Sequence, residues 1–265
     1  MAEELLPLNN IFVPRVLVAE KHFLLVYKPP RMHSAPLSES KGANILDYCV
    51  KNHPEVLSFP GRKSGEGGLL HRLDYETQGL MLIARTKPGM ESLLQQQNDG
   101  EIKKEYSALT AASKNILPGF PVQKPPVPLN FFDGKDEFFE PFRLTCAFRP
   151  YGQGGKTVRP VFPESGQGEN PEKKCMKQYF TEILDRRFLS FDFTSFRLRI
   201  VSGFRHQIRS QMAWLGMPIL NDKQYGAVSY GIGLLGLRAC SLAFYDPASG
   251  EELCYSIPAF ELDEV

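Results

Sequence analysis

A chain of 265 residues with 42% hydrophobic and 23% charged content can bury a sizeable core, which argues against global disorder. A formal net charge of only +1 argues against nucleic-acid binding by bulk charge, so any positive surface must be local. No apolar run reaches the length of a membrane span, and the start MAEELLPLNN lacks the basic and apolar pattern of a secretory signal, so a cytoplasmic protein with no membrane contact is expected.

In chain order, RVLVAEKHFLLVYKPP holds two short apolar runs around Glu20-Lys21-His22 and predicts paired strands that stop at Pro29-Pro30. Ile45, Leu46, Cys49 and Val50 have helical spacing. After the glycine-rich PGRKSGEGG, Leu80 to Ala84 reads as a buried strand. Thr86 and Pro88 then predict a helix start, Met90, Leu93 and Leu94 its apolar face, and Asn98-Asp99-Gly100 its end. KEYSALTAA predicts a further strand. The stretch from about 116 to 175 is expected to be irregular and loop-rich, with PVQKPPVP extended. QYFTEILD, FLSFDFTSF and FRLRIV predict strands, with a turn at Asp185-Arg186-Arg187. A helix is expected from near His206, with Ile208, Met212 and Leu215 inward and a stop at Gly216 and Pro218. LRACSLAFYDPASGEELCYSIP predicts a closing hairpin. Many strands with few short helices predict an α+β fold, built as a mostly antiparallel mixed sheet with flanking short helices and loops, in a single domain over 1–265.

Cys49, Cys146, Cys175, Cys240 and Cys254 are scattered and form no CxxC pair, and the five histidines lack metal spacing. Neither a disulfide framework nor a metal site is expected.

Three segments carry candidate chemistry. His71-Arg72-Leu73-Asp74-Tyr75-Glu76-Thr77 puts a carboxylate in a polar loop between a glycine-rich stretch and a buried strand, where a rigid sheet can hold a reactive group. Read alone, the same residues also fit an Arg72–Asp74 surface pair. Lys104-Glu105-Tyr106 starts a strand with a tyrosine, which offers a flat ring and a phenolic proton, or simply a half-buried strand residue. In Arg205-His206-Gln207-Ile208-Arg209 two arginines four apart at a helix start oppose the helix dipole, which points to an anionic partner; surface arginines on an amphipathic helix are the plainer account.

Taken together in this order, the segments resemble the RluA family of pseudouridine synthases. HRLDYETQGLMLIA is similar to that family's HRLDxxTSGLxxxA, and GFRHQIRSQMAWLGMPILNDKQYG to its GRTHQIRxHLxxxGxPIxGDxxYG. LLVYKPP, KEYSAL, RPYGQGGKTVRPV and LRACSLAFYDPASGEE follow the family order too, so the resemblance covers nearly the whole chain. Departures are Gln78 for serine, Phe204 and Arg205 in Gly-Arg-Thr-His, Gln211 for histidine, Asn221 for glycine, and Arg238 in the LHA near the end.

The resemblance implies the pseudouridine synthase catalytic fold, without a separate N-terminal RNA-binding domain, and isomerisation of uridine to pseudouridine without cofactor or metal. It implies Asp74 as the essential carboxylate, Tyr106 for stacking on uracil and handling the carbon 5 proton, and Arg209 as the cation that pairs with Asp74. Arg72, Arg205, His206, Gln207 and Leu237 fall at RNA- or base-binding positions. The implied partner is RNA, ribosomal or transfer, bound by a monomer. Lys28, Arg31, Arg72, Arg205 and Arg209 supply the local positive charge, and the target uridine is expected in an unpaired loop or bulge. Two other readings are a non-catalytic RNA-binding module on this fold and a hydrolase using His71, Asp74 and His206; the second lacks a nucleophile elbow or a metal motif.

Overall fold

A computed structural model describes residues 3–5, 10–36, 42–63, 65–115, 117–128, 131, 139–162, 176–189 and 192–265. Cys175 and most of the polar stretch after Phe162 lie outside the described residues. Where the sequence predicts one domain, the chain divides into two compact units, Met1–Tyr106 with Leu237–Ala259, and Ser107–Gly236 with Phe260–Val265.

In the first unit, β2 (Arg15–Ala19) and β3 (Phe23–Lys28) form the expected antiparallel pair, with a bulge between Val16 and Val18. β3 pairs antiparallel with β4 (Gln78–Ala84), and β4 pairs parallel with β10 (Leu237–Tyr245). β11 (Glu252–Ser256) returns antiparallel on β10, and β1 (Glu3–Glu4) adds a short parallel rung to β11. Every residue of β3 and β4 is buried, which explains why these strands read as unbroken apolar runs rather than as alternations. Period-two geometry sorts them: Phe23, Leu25 and Tyr27 share a core with Leu80, Leu82 and Ala84. Met90 and Leu93 of α2 (Lys87–Asp99) close that core. Thr86 caps α2 by accepting from the Gly89 N–H, and Gly100 ends it with φ 76°. α1 (Ile45–Val50) is a single short helix capped by Asn44.

β5 (Lys103–Ala111) carries the chain from the first unit into the second. There, from Ser107 onward, the strand order is β5, β9 (Phe193–Ile200), β8 (Tyr179–Phe188), β6 (Phe142–Tyr151) and β7 (Thr157–Val161). The single helix of this unit longer than one turn, among the described residues, is α3 (Gln207–Leu215), ended at Gly216 with φ 89°. Its neighbours are aromatic: Phe148 stacks on Phe204 at 5.0 Å, and Trp214 packs with Cys146, Phe148 and Val158.

Two local expectations are corrected. The stretch from 116 to 175 is not irregular throughout, because it contains β6 and β7. Proline and glycine around them mask the strand signal, and Pro160 is tolerated because β7 ends the strand order. Asp185, Arg186 and Arg187 are not a turn but the continuation of β8, opposite Arg197, Phe196 and Ser195. A bulge between Ile183 and Asp185 resets the register, and Arg186 is buried over the Phe188 ring at 4.4 Å, so a charged triplet sits within a strand.

Candidate active site

In the first unit, the loop from Leu70 to Thr77 is a scaffold built mainly of backbone bonds. Ser34 Oγ donates to the Leu73 carbonyl at 2.8 Å and accepts from the Leu73 N–H at 3.0 Å. The Thr77 N–H donates to the Asp74 carbonyl at 3.1 Å, which closes the turn one residue before β4 begins. Asp74 itself is partly exposed on this turn. Beneath lies Lys28, the last residue of β3 and fully buried. Its ammonium donates to the carbonyls of Pro29 at 2.9 Å, Met32 at 2.8 Å and Tyr75 at 3.3 Å. Burial pulls the Lys28 ammonium down to about 7, against the opposing pull of Asp74 and Glu76. Lys28 is therefore a strut of the loop and not, as its charge alone suggests, a surface contact for phosphate.

His71 is half-buried, and its Nε2 accepts from the Leu82 N–H at 3.2 Å. Burial, with the charges of Lys104 and Arg62, holds its imidazole down to about 3. A neutral ring already used as an acceptor is a poor base, which weakens His71 as one of the two histidines of the hydrolase reading. Tyr106 is almost fully buried on β5. Burial first, then the charges of Asp74 and Cys240, pushes its phenol well above the ordinary tyrosine range. Arg72 is exposed and ion-paired with Glu66. Leu237 is buried at the first position of β10.

The second unit holds the other candidates. Arg205 precedes α3 instead of sharing a helix face with Arg209, and it donates to the Gly155 carbonyl. His206 caps the helix with a left-handed backbone, φ 54°, and its Nδ1 lies 3.1 Å from the Tyr225 hydroxyl. Gln207 is buried, and its carboxamide is spent on Phe204, Phe180 and Thr181. That places Gln207 in the framework of the segment and away from the surface an RNA would touch. Arg209 is buried, and its Nε and Nη2 donate to the two oxygens of Asp222 at 2.7 and 2.8 Å. Gln224 Oε1 accepts from Nη2 at 2.9 Å, and the Tyr225 ring lies 5.4 Å from the guanidinium carbon.

Sequence reasoning missed Asp222, Gln224, Ser34 and the structural use of Lys28. Asp222 had a signal, since it lies 13 residues after Arg209 within one motif-rich segment. Ser34 had none, because its partner is 39 positions away and is a backbone group. Among the described residues no three His, Cys, Asp or Glu side chains gather as metal ligands would, and no helix is long and apolar enough to cross a membrane.

Comparison with known proteins identifies the family of the chain. Residues 22–214 match the family described as RNA pseudouridylate synthase. The chain is 26% identical over 263 residues to ribosomal large subunit pseudouridine synthase D of Vibrio parahaemolyticus, covering 93% of this chain and 67% of that protein. It is 24% identical to the uncharacterized RNA pseudouridine synthase YjbO of Bacillus subtilis, covering 92% of this chain and 71% of that one. The chain thus spans about two thirds of the length of these relatives. In fold it is similar to human RNA pseudouridylate synthase domain containing 1, with a TM-score of 0.59 at 19% identity, over 96% of this chain and 86% of that one. The match across residues 22–214, most of the length, which includes the HRLD turn carrying Asp74, leads to one conclusion: the chain belongs to the RNA pseudouridylate synthase family.

Proposed function

We propose that this protein isomerises specific uridines of structured RNA to pseudouridine, with Asp74 as the catalytic carboxylate. The observation that carries the proposal is a partly exposed Asp74 on a turn fixed by Ser34, Lys28 and Thr77, within a chain whose residues 22–214 match the RNA pseudouridylate synthase family. The reaction breaks the bond between the uracil nitrogen and the ribose, turns the base, joins carbon 5 to the ribose and releases the carbon 5 proton. Nothing is oxidised and no atom is gained, so the chemistry needs a carboxylate and proton handling alone. Two roles for Asp74 fit this scheme, attack on the sugar and removal of a sugar proton. The base must leave its stack to be reached, at a cost on the order of a few kcal/mol that pocket contacts offset.

In this reading Tyr106 stacks on uracil and moves the carbon 5 proton, and Leu237 supplies an apolar wall. Arg72 leaves Glu66 to fill the stack vacated by the flipped base. Arg205 and His206 contact the RNA, and Arg209 supports the chemistry in the orientation set by Asp222. Gln207, buried, acts through the segment it braces. The protein works as a cytoplasmic monomer with a single catalytic domain over residues 1–265. Ribosomal RNA is the first substrate to test, since several similar proteins are named for the large ribosomal subunit; transfer RNA is the second.

The test is release of label from RNA carrying tritium at uridine carbon 5, followed by mapping of pseudouridine in total RNA with and without the protein. Label release without chain cleavage, and absent from Asp74→Asn, is the expected result. Binding without label release would leave the non-catalytic RNA-binding module as the better account. A stem-loop excised around the mapped site should suffice as substrate; modification of the long RNA alone would overturn the expectation of an isolated loop target.

A further inference from the structure

Two of the departures from the family pattern fall on one rung of the sheet. Gln78, where the family has serine, is the first residue of β4, and Arg238, where the family has histidine, is its register partner on the parallel strand β10. Both side chains are buried, at 0% and 2% exposure, so neither can touch RNA directly. Their side chains meet: Arg238 Nη2 donates to Gln78 Oε1 at 3.4 Å. The same oxygen accepts from the Tyr27 hydroxyl of β3 at 2.7 Å. Arg238 Nη1 reaches the carbonyls of Pro258 and Ala259, each at 3.2 Å.

Gln78 thereby ties together three strands, β3, β4 and β10, at the point where β4 leaves the Asp74 turn. Its chain neighbour Thr77 closes that turn through the Asp74 carbonyl. Its other neighbour, Gly79, is pressed on the Ala239 backbone with φ 125°, and a Cβ there would collide with the Ala239 carbonyl oxygen. The start of β4 has no freedom to slide, so side-chain changes at 78 and 238 must be absorbed by each other. A serine at 78 is too short to accept from both Tyr27 and Arg238. A histidine at 238 is too short to span from Gln78 to the Pro258 and Ala259 carbonyls.

We propose that Gln78 and Arg238 are a coupled pair of positioning residues, which replace a serine–histidine solution and hold the Asp74 turn and Leu237 in register for the reaction. Neither residue is catalytic. They act through Thr77 and Asp74 on one strand and through the adjacent Leu237 on the other. The proposal rests on the isomerase reading for its kinetic form, and on the register alone for its structural form.

The experiment is a double-substitution cycle with Gln78→Ser, Arg238→His and both together, in the full chain. Three quantities are read: kcat and KM from label release, thermal midpoint, and amide hydrogen exchange across residues 71–79. Each single substitution should lower kcat by about tenfold or more with KM within about twofold, and speed exchange in 71–79, because a loosened turn misplaces the reacting group while the RNA contacts remain. The double substitution should recover kcat to within about threefold of the wild type, since residues that share one contact are not additive.

Additive losses in the cycle, or singles that change neither kcat nor exchange, would overturn the pairing. A loss in KM alone would overturn the positioning role. If Arg238→His does not fold, Gln78→Met against Tyr27→Phe keeps the test alive. Met removes the shared acceptor and should lower kcat more than Phe, which removes one of its two donors; equal effects count against the proposal. Should the wild type release no label, the isomerase reading fails, and the exchange data still decide whether 78 and 238 are coupled.

Discussion

The loop that carries Asp74 is held through its backbone, whereas the segment that carries Arg209 is held through its side chains. In the first case Ser34 and Lys28 grip the carbonyls and N–H of residues 73 and 75, and the Asp74 side chain stays partly exposed on its turn. In the second, Asp222 and Gln224 grip the guanidinium itself, in a buried site. The difference suits the two chemistries. In the proposed reaction Asp74 has to meet a sugar, and a turn gripped through its backbone sets where that carboxylate lies. The bidentate pair with Asp222 fixes the plane and orientation of the Arg209 guanidinium.

Four outcomes would break or sharpen that contrast. The largest effect is expected from Asp74→Asn, which keeps shape but removes nucleophile and base. Turnover should fall below a few per cent of wild type, with RNA binding in a filter assay nearly intact, since asparagine keeps the shape of the side chain. Higher turnover by the Asn form, once deamidation is excluded by mass, would falsify its catalytic role.

On the other side of the comparison, Asp222→Ala should cost stability as well as activity. It removes the bidentate carboxylate from a buried guanidinium, and breaking such a pair costs about 3–5 kcal/mol. Urea unfolding that changes by less than about 1 kcal/mol, the scale of an exposed pair, would show that the site is open to water and that side-chain bracing is not what holds Arg209. Arg209→Ala should lower turnover more than Arg209→Lys, because lysine keeps the charge and loses the fork.

Tyr106→Phe comes next. Stacking survives in the phenyl ring, so a loss of roughly 100-fold in kcat assigns proton handling to the phenol. Near-wild-type turnover would reduce Tyr106 to a stacking platform.

The smallest effect is a matter of pH. His71 is held to about 3 in the folded chain, against an ordinary value near 6.5. Between those values the unfolded chain binds more protons, so the contribution is fully present above about pH 6.5 and is lost as pH falls toward 3. His71→Gln, which keeps an acceptor for the Leu82 N–H, should flatten the acid limb of a stability–pH profile. An unchanged limb would place the acid sensitivity in other groups.

Much of the architecture was legible from the sequence for local reasons. The hairpin before Pro29, the caps at Thr86 and Gly100, and the closing strands follow from side-chain period and turn chemistry within a few residues. Asp74, Tyr106 and Arg209 stood out because each sits in an ordered motif. The misreadings came where local polarity and tertiary burial disagree. Asp185 to Arg187 look like a turn until Phe196 and the Phe188 ring are brought against them. Pro160 argues against a strand until β7 is known to end the strand order.

The sequence by itself determined the element types and the chemical groups available, since periodicity, caps and motif order act over short range. Tertiary structure alone decided which of those groups are buried in the framework and which stay partly exposed. Lys28 and Gln207 become struts because burial makes an unsatisfied polar group costly and directs each donor to a nearby carbonyl. Gln78 meets Arg238 across 160 positions because a parallel register between β4 and β10 places them side by side, and no local pattern in either segment carries that distance.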